Sequence, residues 1–342
     1  MLKDLYEVIE ELSETPEDWG EPSFSQEQYY DTVPLSEENL NGYDVKNGDR
    51  VICCVDGGNN KIYESPTDSI DLIKIYFNLF RGKERVKNFD PWTAFLVSEF
   101  ENDEIRCELR PLNDSLPIEK LNYVLKDEEM EEKKPSTAGH TIRKYLEWKA
   151  MEYAVEEHLG PGDILVKDGV LQTTVERERR FAERTYEKVE ENEVVMLGIA
   201  KTSSLMTTTG YPLVASVNSM ARETDKDLWY YHPIADNSNP DHKGEMYIVK
   251  YHPSSTYAFR TEFYREKSYK DEVREDVLGH LAFQAKDPIF LGYPYGLVDA
   301  DKKARVTDEE VEYLKNMGDN RMNKTFRDKI NSVNAHDKLS NI

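Results

Sequence analysis

The sequence is poor in cysteine and in long apolar runs, and each shortage excludes a class of protein. Three cysteines among 342 residues, with no CxxC pair, exclude a disulfide scaffold and argue against a zinc site, so we expect reduced thiols. No apolar run approaches the roughly 18 to 20 residues of a membrane helix. The first residues, MLKDLYEVIEELSE, have the pattern of an acidic amphipathic helix and not of a signal peptide. We therefore expect a cytoplasmic protein without a membrane span.

The chain lacks an excess of positive charge. The 44 Lys and Arg residues stand against 67 Asp and Glu residues, which gives a formal net charge of −23. This balance excludes a generally basic protein that coats nucleic acid by charge alone. It leaves room for a nucleic-acid enzyme, because a local basic groove or bound metal ions can overcome an acidic average.

What the sequence does contain indicates a folded α/β chain. Hydrophobic residues make up 38% and tyrosine occurs 21 times, which is more core material than a disordered chain carries. Apolar segments of strand length alternate with helix-like segments, and this predicts a mixed central sheet flanked by helices. The predicted strands are 51–58, 70–80, 92–100, 104–110, 160–169, 193–201 and a hairpin of EMYIVKYHP with STYAFRTEFY, and the predicted helices are 138–158, 175–191 and 273–286.

Composition divides the chain into three parts. Residues 1–45 are predicted as an amino-terminal helix with an acidic arm, residues 46–317 as the main domain, and residues 318–342 as a loose polar tail. The segment 222–244 within the main domain is polar and is predicted as a loop. Its aromatic residues at 229–231 are candidates either to stack on unpaired bases or to anchor the loop by burial.

Two aspartates follow apolar strands in the same way. Asp56 ends the run VICCV and precedes two glycines, and Asp168 ends ILVK and precedes one glycine. A simple Asp-Gly turn explains either one alone. The repetition favours function, because two parallel strands would deliver both carboxylates to one edge of a sheet. Paired carboxylates are ligands that Mg²⁺ or Mn²⁺ prefers.

Glu147 is a third candidate carboxylate, in the helix predicted between those strands. It shares a helical stripe with apolar residues at i+3, i+4 and i+7, so we expect its side chain to face the sheet. The alternative is that Glu147 only pairs with Arg143 one turn earlier.

Two basic residues are candidates for contacting a phosphate group. Lys201 ends the third apolar strand and is predicted either to contact a phosphate or to be a solvated lysine at a strand end. Arg260, in the predicted hairpin, is a candidate for a basic track together with arginines of the helix 175–191. Acidic residues interleaved on that helix favour exposed salt bridges instead.

Taken in order, these elements resemble the NurA nuclease family. The set comprises VDGG after the first strand, a meander, a helix with R-x-x-x-E, the strands ILVKDGVL and VVMLGIAKTSS, and the late segment LGYPYGL, within residues 50–306. The resemblance implies an RNase H-like fold and a nuclease dependent on Mn²⁺, with Mg²⁺ as the alternative ion. It implies digestion of DNA ends from 5′ to 3′ and endonuclease activity on single strands. It also implies a homodimer that works with a HerA-type hexameric helicase-translocase in double-strand-break end resection.

The family's site residues are carried over position by position. On the family's motif, Asp56, Glu147 and Asp168 would be the metal-binding carboxylates. Tyr293, in GYP, would be the catalytic tyrosine. Where the family has a histidine eight residues later, this chain has Asp301. An aspartate binds a cation through oxygen but replaces neither a neutral imidazole ligand nor a near-neutral proton shuttle, so the departure predicts an altered metal preference, pH dependence or strength of activity.

Two other functions fit parts of the pattern. A non-catalytic RNase H-like subunit that binds the translocase and guides DNA is favoured by Asp301 and the negative charge, whereas retention of three carboxylates argues against it. An actin-like phosphotransferase also begins with a strand ending in Asp-Gly, but it requires a later Gly-rich phosphate loop that the sequence lacks. His280 is a candidate replacement for the missing histidine, although packing is the commoner role of such a residue.

Overall fold

The computed structural model describes residues 5, 6, 9, 18–48, 50–130, 132–267 and 269–331. Apart from three positions, the helix predicted at the amino terminus lies outside these residues. The strands are β1 Pro22–Ser23, β2 Tyr30–Thr32, β3 Leu40–Gly42, β4 Val51–Glu64, β5 Asp68–Arg81, β6 Glu84–Lys87, β7 Trp92–Glu101, β8 Glu104–Pro111, β9 Leu121–Leu125, β10 Ile164–Asp168, β11 Val195–Ala200, β12 Met206–Thr207, β13 Trp229–Tyr231, β14 Ala235–Asn237, β15 Gly244–Lys250 and β16 Phe259–Tyr264. The α-helices are α1 Ala138–His158, α2 Glu176–Glu191, α3 Leu213–Ala221, α4 Asp271–Gln284, α5 Tyr295–Ala304, α6 Asp308–Asp319 and α7 Lys324–Asn331.

Apolar residues that are buried on both faces place β4, β10 and β11 at the centre of a large mixed sheet. β10 runs parallel to both β4 and β11, whereas β5 and β7 extend the sheet as an antiparallel meander. The full order is β3-β13-β15-β16-β11-β10-β4-β5-β7-β8-β9, with β6 on β5. Its middle section, β7-β5-β4-β10-β11, is the RNase H-like arrangement. The predicted α/β class, a mixed sheet flanked by helices, is confirmed.

Helices cover both faces of this sheet. The crossover helices α1 and α2 pack on the face that carries Cys53, and α4 and α5 pack on the face that carries Cys54. Both thiols are buried and free, as is Cys107, which agrees with the prediction of reduced cysteines. The strand β4 is therefore sandwiched between α1 and α5. None of the described helices combines the length and the apolarity needed to cross a bilayer.

The sequence predicted that the first strand ends in an Asp-Gly turn within residues 51–58. Instead, β4 continues to Glu64 and pairs with β5 along its length. The two glycines after Asp56 serve close packing instead of a turn. A Cβ atom on Gly57 would lie 2.6 Å from Oε1 of Glu147, and one on Gly58 would lie 2.3 Å from the backbone oxygen of Ala304. The missing side chains let α1 and α5 approach the strand beside Asp56.

Two segments have more regular structure than the sequence predicts. Residues 229–231 form β13, which pairs with β3 and β15, and their rings are at most 6% exposed. They are therefore anchors inside the sheet and are not available to stack on bases. Within the predicted loose tail, α7 is helical, and Lys329 bonds to Asp68 at 2.8 Å. The division of the chain at residues 45 and 317 stays a prediction.

Candidate functional site

Three aspartates from separate elements meet at the sheet edge where β10 ends. Asp56 lies within β4, Asp168 is the last residue of β10, and Asp301 lies in α5. The parallel register pairs Lys167 with Val55, so Asp56 and Asp168 are the next residues along their strands. One carboxylate oxygen of each aspartate lies within 4.8 Å of the others. We call these three residues the aspartate cluster.

Lys201, one residue beyond β11, supplies positive charge to the aspartate cluster. Its Nζ lies 2.5 Å from Oδ2 of Asp168 and 2.7 Å from Oδ1 of Asp301. The Arg305 guanidinium adds a contact of 2.7 Å to the other oxygen of Asp301. Burial opposes ionisation of Asp301, but Lys201 and Arg305 outweigh it and lower the pKa of that carboxyl. Lys201 is thus paired with two carboxylates although its side chain is 41% exposed, and its contact with a phosphate stays a prediction.

Asp56 receives much less compensation than Asp301. The adjacent amide of Gly57 donates to Oδ1 of Asp56 at 2.7 Å. Burial, followed by the charges of Asp168 and Glu147, raises the pKa of Asp56 to about 7, although Lys201 acts in the opposite direction. The aspartate cluster therefore holds more negative charge than its neighbouring cations neutralise.

The aspartate cluster fits a hard divalent cation. Its donors are carboxylate oxygens, which Mg²⁺ and Mn²⁺ prefer. The Lys201 ammonium already occupies a position between two of the carboxylates, which shows that a cation can be accommodated there. Asp56, Asp168 and Asp301 are the residues that would hold a metal ion.

Glu147 faces the sheet, as its helical position predicted, but stands apart from the aspartate cluster. Its side chain lies over Gly57 and forms an ion pair with Arg143, whose Nη1 also donates to the Gly57 carbonyl at 3.0 Å. Burial raises the pKa of Glu147, with Arg143 and Lys167 opposing it. The pairing with Arg143 that the sequence offered as an alternative is present, and a metal-binding role for Glu147 stays a prediction.

Tyr293 lies beneath the aspartate cluster. The residue is 2% exposed, and its hydroxyl donates to Oδ1 of Asp168 at 3.4 Å. Burial, reinforced by the charge of Asp168, raises the pKa of Tyr293 well above its usual range. The neutral phenol is therefore placed to orient Asp168, and a catalytic role for Tyr293 stays a prediction.

An internal polar network holds α5, and with it Asp301, against the sheet. The Asn78 amide donates to the Gly296 carbonyl at 2.7 Å and to Asp299 at 2.9 Å. Arg85 donates to the other oxygen of Asp299 at 2.6 Å. Sequence reasoning missed these residues. The one available signal was an asparagine inside the apolar run IYFNLF, because a buried amide needs partners.

Two basic candidates lie away from the aspartate cluster. Arg260 is 8% exposed, and its Nε and Nη2 both contact Glu262, at 2.6 and 2.5 Å. The structure thus places Arg260 in an internal ion pair and not on a surface track for DNA. His280 is 6% exposed and hydrogen-bonds the backbone oxygen of Asp276 at 2.7 Å. It packs in α4 and does not replace the missing histidine.

The arginines of α2 form the salt bridges that the sequence favoured. Arg177 contacts Glu129 at 3.0 Å, and Arg180 contacts Glu176 at 2.5 Å. Arg179 contacts an aspartate outside the helix, also at 3.0 Å. Each of these three arginines is thus opposed by a carboxylate, which argues against a basic track through them.

Several solved nuclease and Argonaute structures resemble this chain. The NurA nuclease from Sulfolobus solfataricus aligns over 93% of both chains with a TM-score of 0.48 and 13% identity. Human ENDOV aligns over 81% of this chain and 94% of its own, with a TM-score of 0.39 and 11% identity. The Argonaute of A. aeolicus matches 76% of this chain but 29% of its own, with a TM-score of 0.33 and 9% identity. No family model matches the sequence, and no curated protein matches it significantly.

Proposed function

We propose that this protein is a metal-dependent nuclease that hydrolyses phosphodiester bonds of DNA. The observation that carries the proposal is the convergence of Asp56, Asp168 and Asp301 at one edge of the sheet, within 4.8 Å. A surplus of carboxylate at that edge is otherwise unfavourable, because like charges repel when they are drawn out of water. A bound cation resolves the repulsion and prepares the site for an anionic substrate.

The aspartate cluster and its two neighbours Lys201 and Tyr293 have different roles in the proposed reaction. A divalent cation, when bound, supplies charge neutralisation at the phosphate and activation of water. Without a bound cation Asp56 has a pKa of about 7, so cation binding should release a proton near neutral pH and weaken as the pH falls. Lys201, whose side chain is 41% exposed, can turn towards a phosphate when a cation takes over Asp168 and Asp301. The Tyr293 hydroxyl keeps Asp168 oriented.

The finer features of the proposed activity rest on the resemblance of the sequence motifs to the NurA family. They are Mn²⁺ as the preferred ion, digestion from 5′ to 3′, endonuclease activity on single strands, and a homodimer. The same resemblance supports action on DNA ends with a HerA-type helicase-translocase in double-strand-break end resection. The aspartate cluster supports hydrolysis of the phosphodiester bond. It does not bear on the direction of digestion or on the partner protein.

A second candidate is a non-catalytic subunit that binds the translocase and guides DNA. The ion pairs of Lys201 with Asp168 and Asp301 favour it, because they neutralise two of the three carboxylates without a metal. The residual charge at Asp56 favours the nuclease.

The test is digestion of end-labelled single-stranded and duplex DNA with Mn²⁺, Mg²⁺ or EDTA. It is run beside calorimetric titration of the cation without DNA. We expect metal-dependent cleavage that Asp56→Asn abolishes together with cation binding, because that residue is the least compensated ligand. Asp114→Asn, at an exposed position, is the matched control and should behave as wild type.

The variant Asp301→His restores the family's residue and tests the departure. We expect it to retain cation binding and to change the metal preference or the pH dependence of cleavage. Cation binding without cleavage by the wild type, even with a HerA-type translocase present, would favour the second candidate.

A further inference from the structure

An exposed pair of aromatic rings continues the core beneath the aspartate cluster out to the surface. Tyr257 and Phe290 are 58% and 41% exposed, and their rings stack with centroids 5.7 Å apart and an interplanar angle of 28°. Together with Ile289, which is 72% exposed, they line a shallow cavity of about 270 Å³. Large apolar side chains grouped at a surface mark a contact site more often than isolated ones do.

These rings connect directly to the candidate active site. Phe290 packs edge-on against Tyr293, with centroids 5.7 Å apart, and the Tyr293 hydroxyl donates to Asp168. Buried Phe259 contacts both rings, at 6.3 and 4.9 Å. A single buried ring therefore separates Phe290 from a carboxylate of the aspartate cluster.

We propose that Tyr257 and Phe290 form a stacking platform for an unpaired base of the nucleic-acid strand whose phosphate lies at the aspartate cluster. The inference rests on the proposed function and deepens it, because it assigns a binding subsite for single-stranded substrate. Aromatic faces stack on any base, so the platform selects unpaired strands without selecting a sequence.

The charges around the stacking platform suit a nucleic-acid strand. His252 lies in the loop that carries Tyr257, and the positive charges of Lys286 and Lys250 reach it, adding to burial in lowering its pKa. Two lysines therefore lie near this apolar patch, although the chain as a whole has a net charge of −23. Asp287, which accepts a hydrogen bond from the Ile289 amide at 2.9 Å, is the acidic group that holds the second loop.

Internal contacts fix the two loops that carry the stacking platform. The Ser255 hydroxyl accepts from the Tyr257 amide at 3.1 Å, and the Asn218 side chain donates to the Thr256 carbonyl at 3.1 Å. Gly292 has a φ of +95°, and a Cβ there would lie 2.3 Å from the Ser255 hydroxyl, so the two loops pack tightly. Rigid presentation lowers the entropy cost of binding.

The test measures binding of a fluorescent single-stranded oligothymidylate in EDTA, where cleavage plays no part. Tyr257→Ala and Phe290→Ala should each weaken binding roughly five- to a hundredfold, whereas Tyr257→Phe should retain most of the affinity. The affinity for blunt duplex DNA of equal length should differ little between the wild type and the two alanine variants. Tyr313→Ala removes a tyrosine on α6 that is 65% exposed and does not line the cavity, and it is the matched control. An oligonucleotide with 5-iodouracil should photo-cross-link to Tyr257 or Phe290.

The outcomes separate this inference from the proposed function. If the wild type cleaves DNA while both alanine variants bind single strands normally, the stacking platform is overturned and the nuclease stands. If the rings cross-link and bind but no metal supports cleavage, the platform stands and the nuclease fails. If the alanine variants change the oligomeric state in light scattering with unchanged affinity for single strands, the patch is a contact between copies of the chain, which overturns the inference.

Discussion

Two acidic sites on the same sheet, the internal site around Glu262 and the aspartate cluster, differ in how far neighbouring groups compensate their negative charge. Inside the protein, Glu262 is fully buried, yet Arg260, His242 and the Leu171 amide outweigh the burial and lower its pKa to about 2. At the sheet edge, burial and neighbouring carboxylates raise the pKa of Asp56 to about 7.

The difference lies in the partners that each carboxylate has. Both oxygens of Glu262 are occupied, one by Arg260 at 2.5 Å and the other by the Leu171 amide at 2.7 Å. In contrast, Lys201 contacts Asp168 and Asp301, whereas Asp56 accepts a hydrogen bond from the adjacent Gly57 amide. A carboxylate whose charge is compensated stabilises the fold. A carboxylate whose charge is only partly compensated keeps affinity for a further cation. The comparison predicts that neutralising Glu262 lowers the free energy of unfolding, whereas neutralising Asp56 raises it.

The largest expected effect on the free energy of unfolding is at Glu262, the internal site. Glu262→Gln should lower the free energy of unfolding by about 3 to 5 kcal/mol, because it leaves the buried Arg260 guanidinium without its countercharge. Urea denaturation measures this change. Glu266→Gln is the control, since Glu266 pairs with Lys243 at an exposed position, where a lost ion pair costs about 0 to 1 kcal/mol. Equal costs for the two variants would remove the distinction between the two sites.

The opposite sign is expected at the sheet edge. In EDTA above pH 7, Asp56→Asn should raise the free energy of unfolding by about 1 to 3 kcal/mol, because it removes an uncompensated charge. The pKa of Asp56 rises from 3.8 to about 7 on folding. Its contribution to stability is therefore fully present below pH 3.8 and is lost as pH rises through about 7.

The measurement is urea denaturation of both proteins at several pH values between these limits. The stability gain of Asp56→Asn should grow with pH and vanish in acid. Asp114→Asn is the control, because its carboxylate is exposed. A destabilising effect of Asp56→Asn at pH 8 would mean that neighbouring groups compensate the charge of Asp56 in the aspartate cluster.

Local pattern predicted most of the elements that build the site. The strand ending at Asp168 and the helix carrying Glu147 follow from apolar periodicity, which depends on neighbours within a few residues. The segment 229–231 was missed because its flanks are polar and its strand partners are distant in sequence. Tertiary pairing overrides local preference in such strands.

The membership of the aspartate cluster could be predicted only in part. The repeated strand-end pattern indicated Asp56 and Asp168 correctly as neighbours. Local pattern cannot decide whether Glu147 or Asp301 reaches them, because that depends on how helices seat on the sheet. Arg143 draws Glu147 over Gly57, and the network around Asn78 seats α5.

The smallest expected effect concerns Lys201, the cation that contacts both Asp168 and Asp301 in the aspartate cluster. Lys201→Met should tighten Mn²⁺ binding roughly fivefold in calorimetry, because it removes a positive charge that competes for Asp168 and Asp301. Lys61→Met is the matched control, since Lys61 pairs with Glu64 on the same strand as Asp56. Weaker Mn²⁺ binding by Lys201→Met would show that the ammonium organises the carboxylates for the metal instead of substituting for it. The aspartate cluster would then resemble the internal site, in which the Arg260 guanidinium holds the Glu262 carboxylate in place.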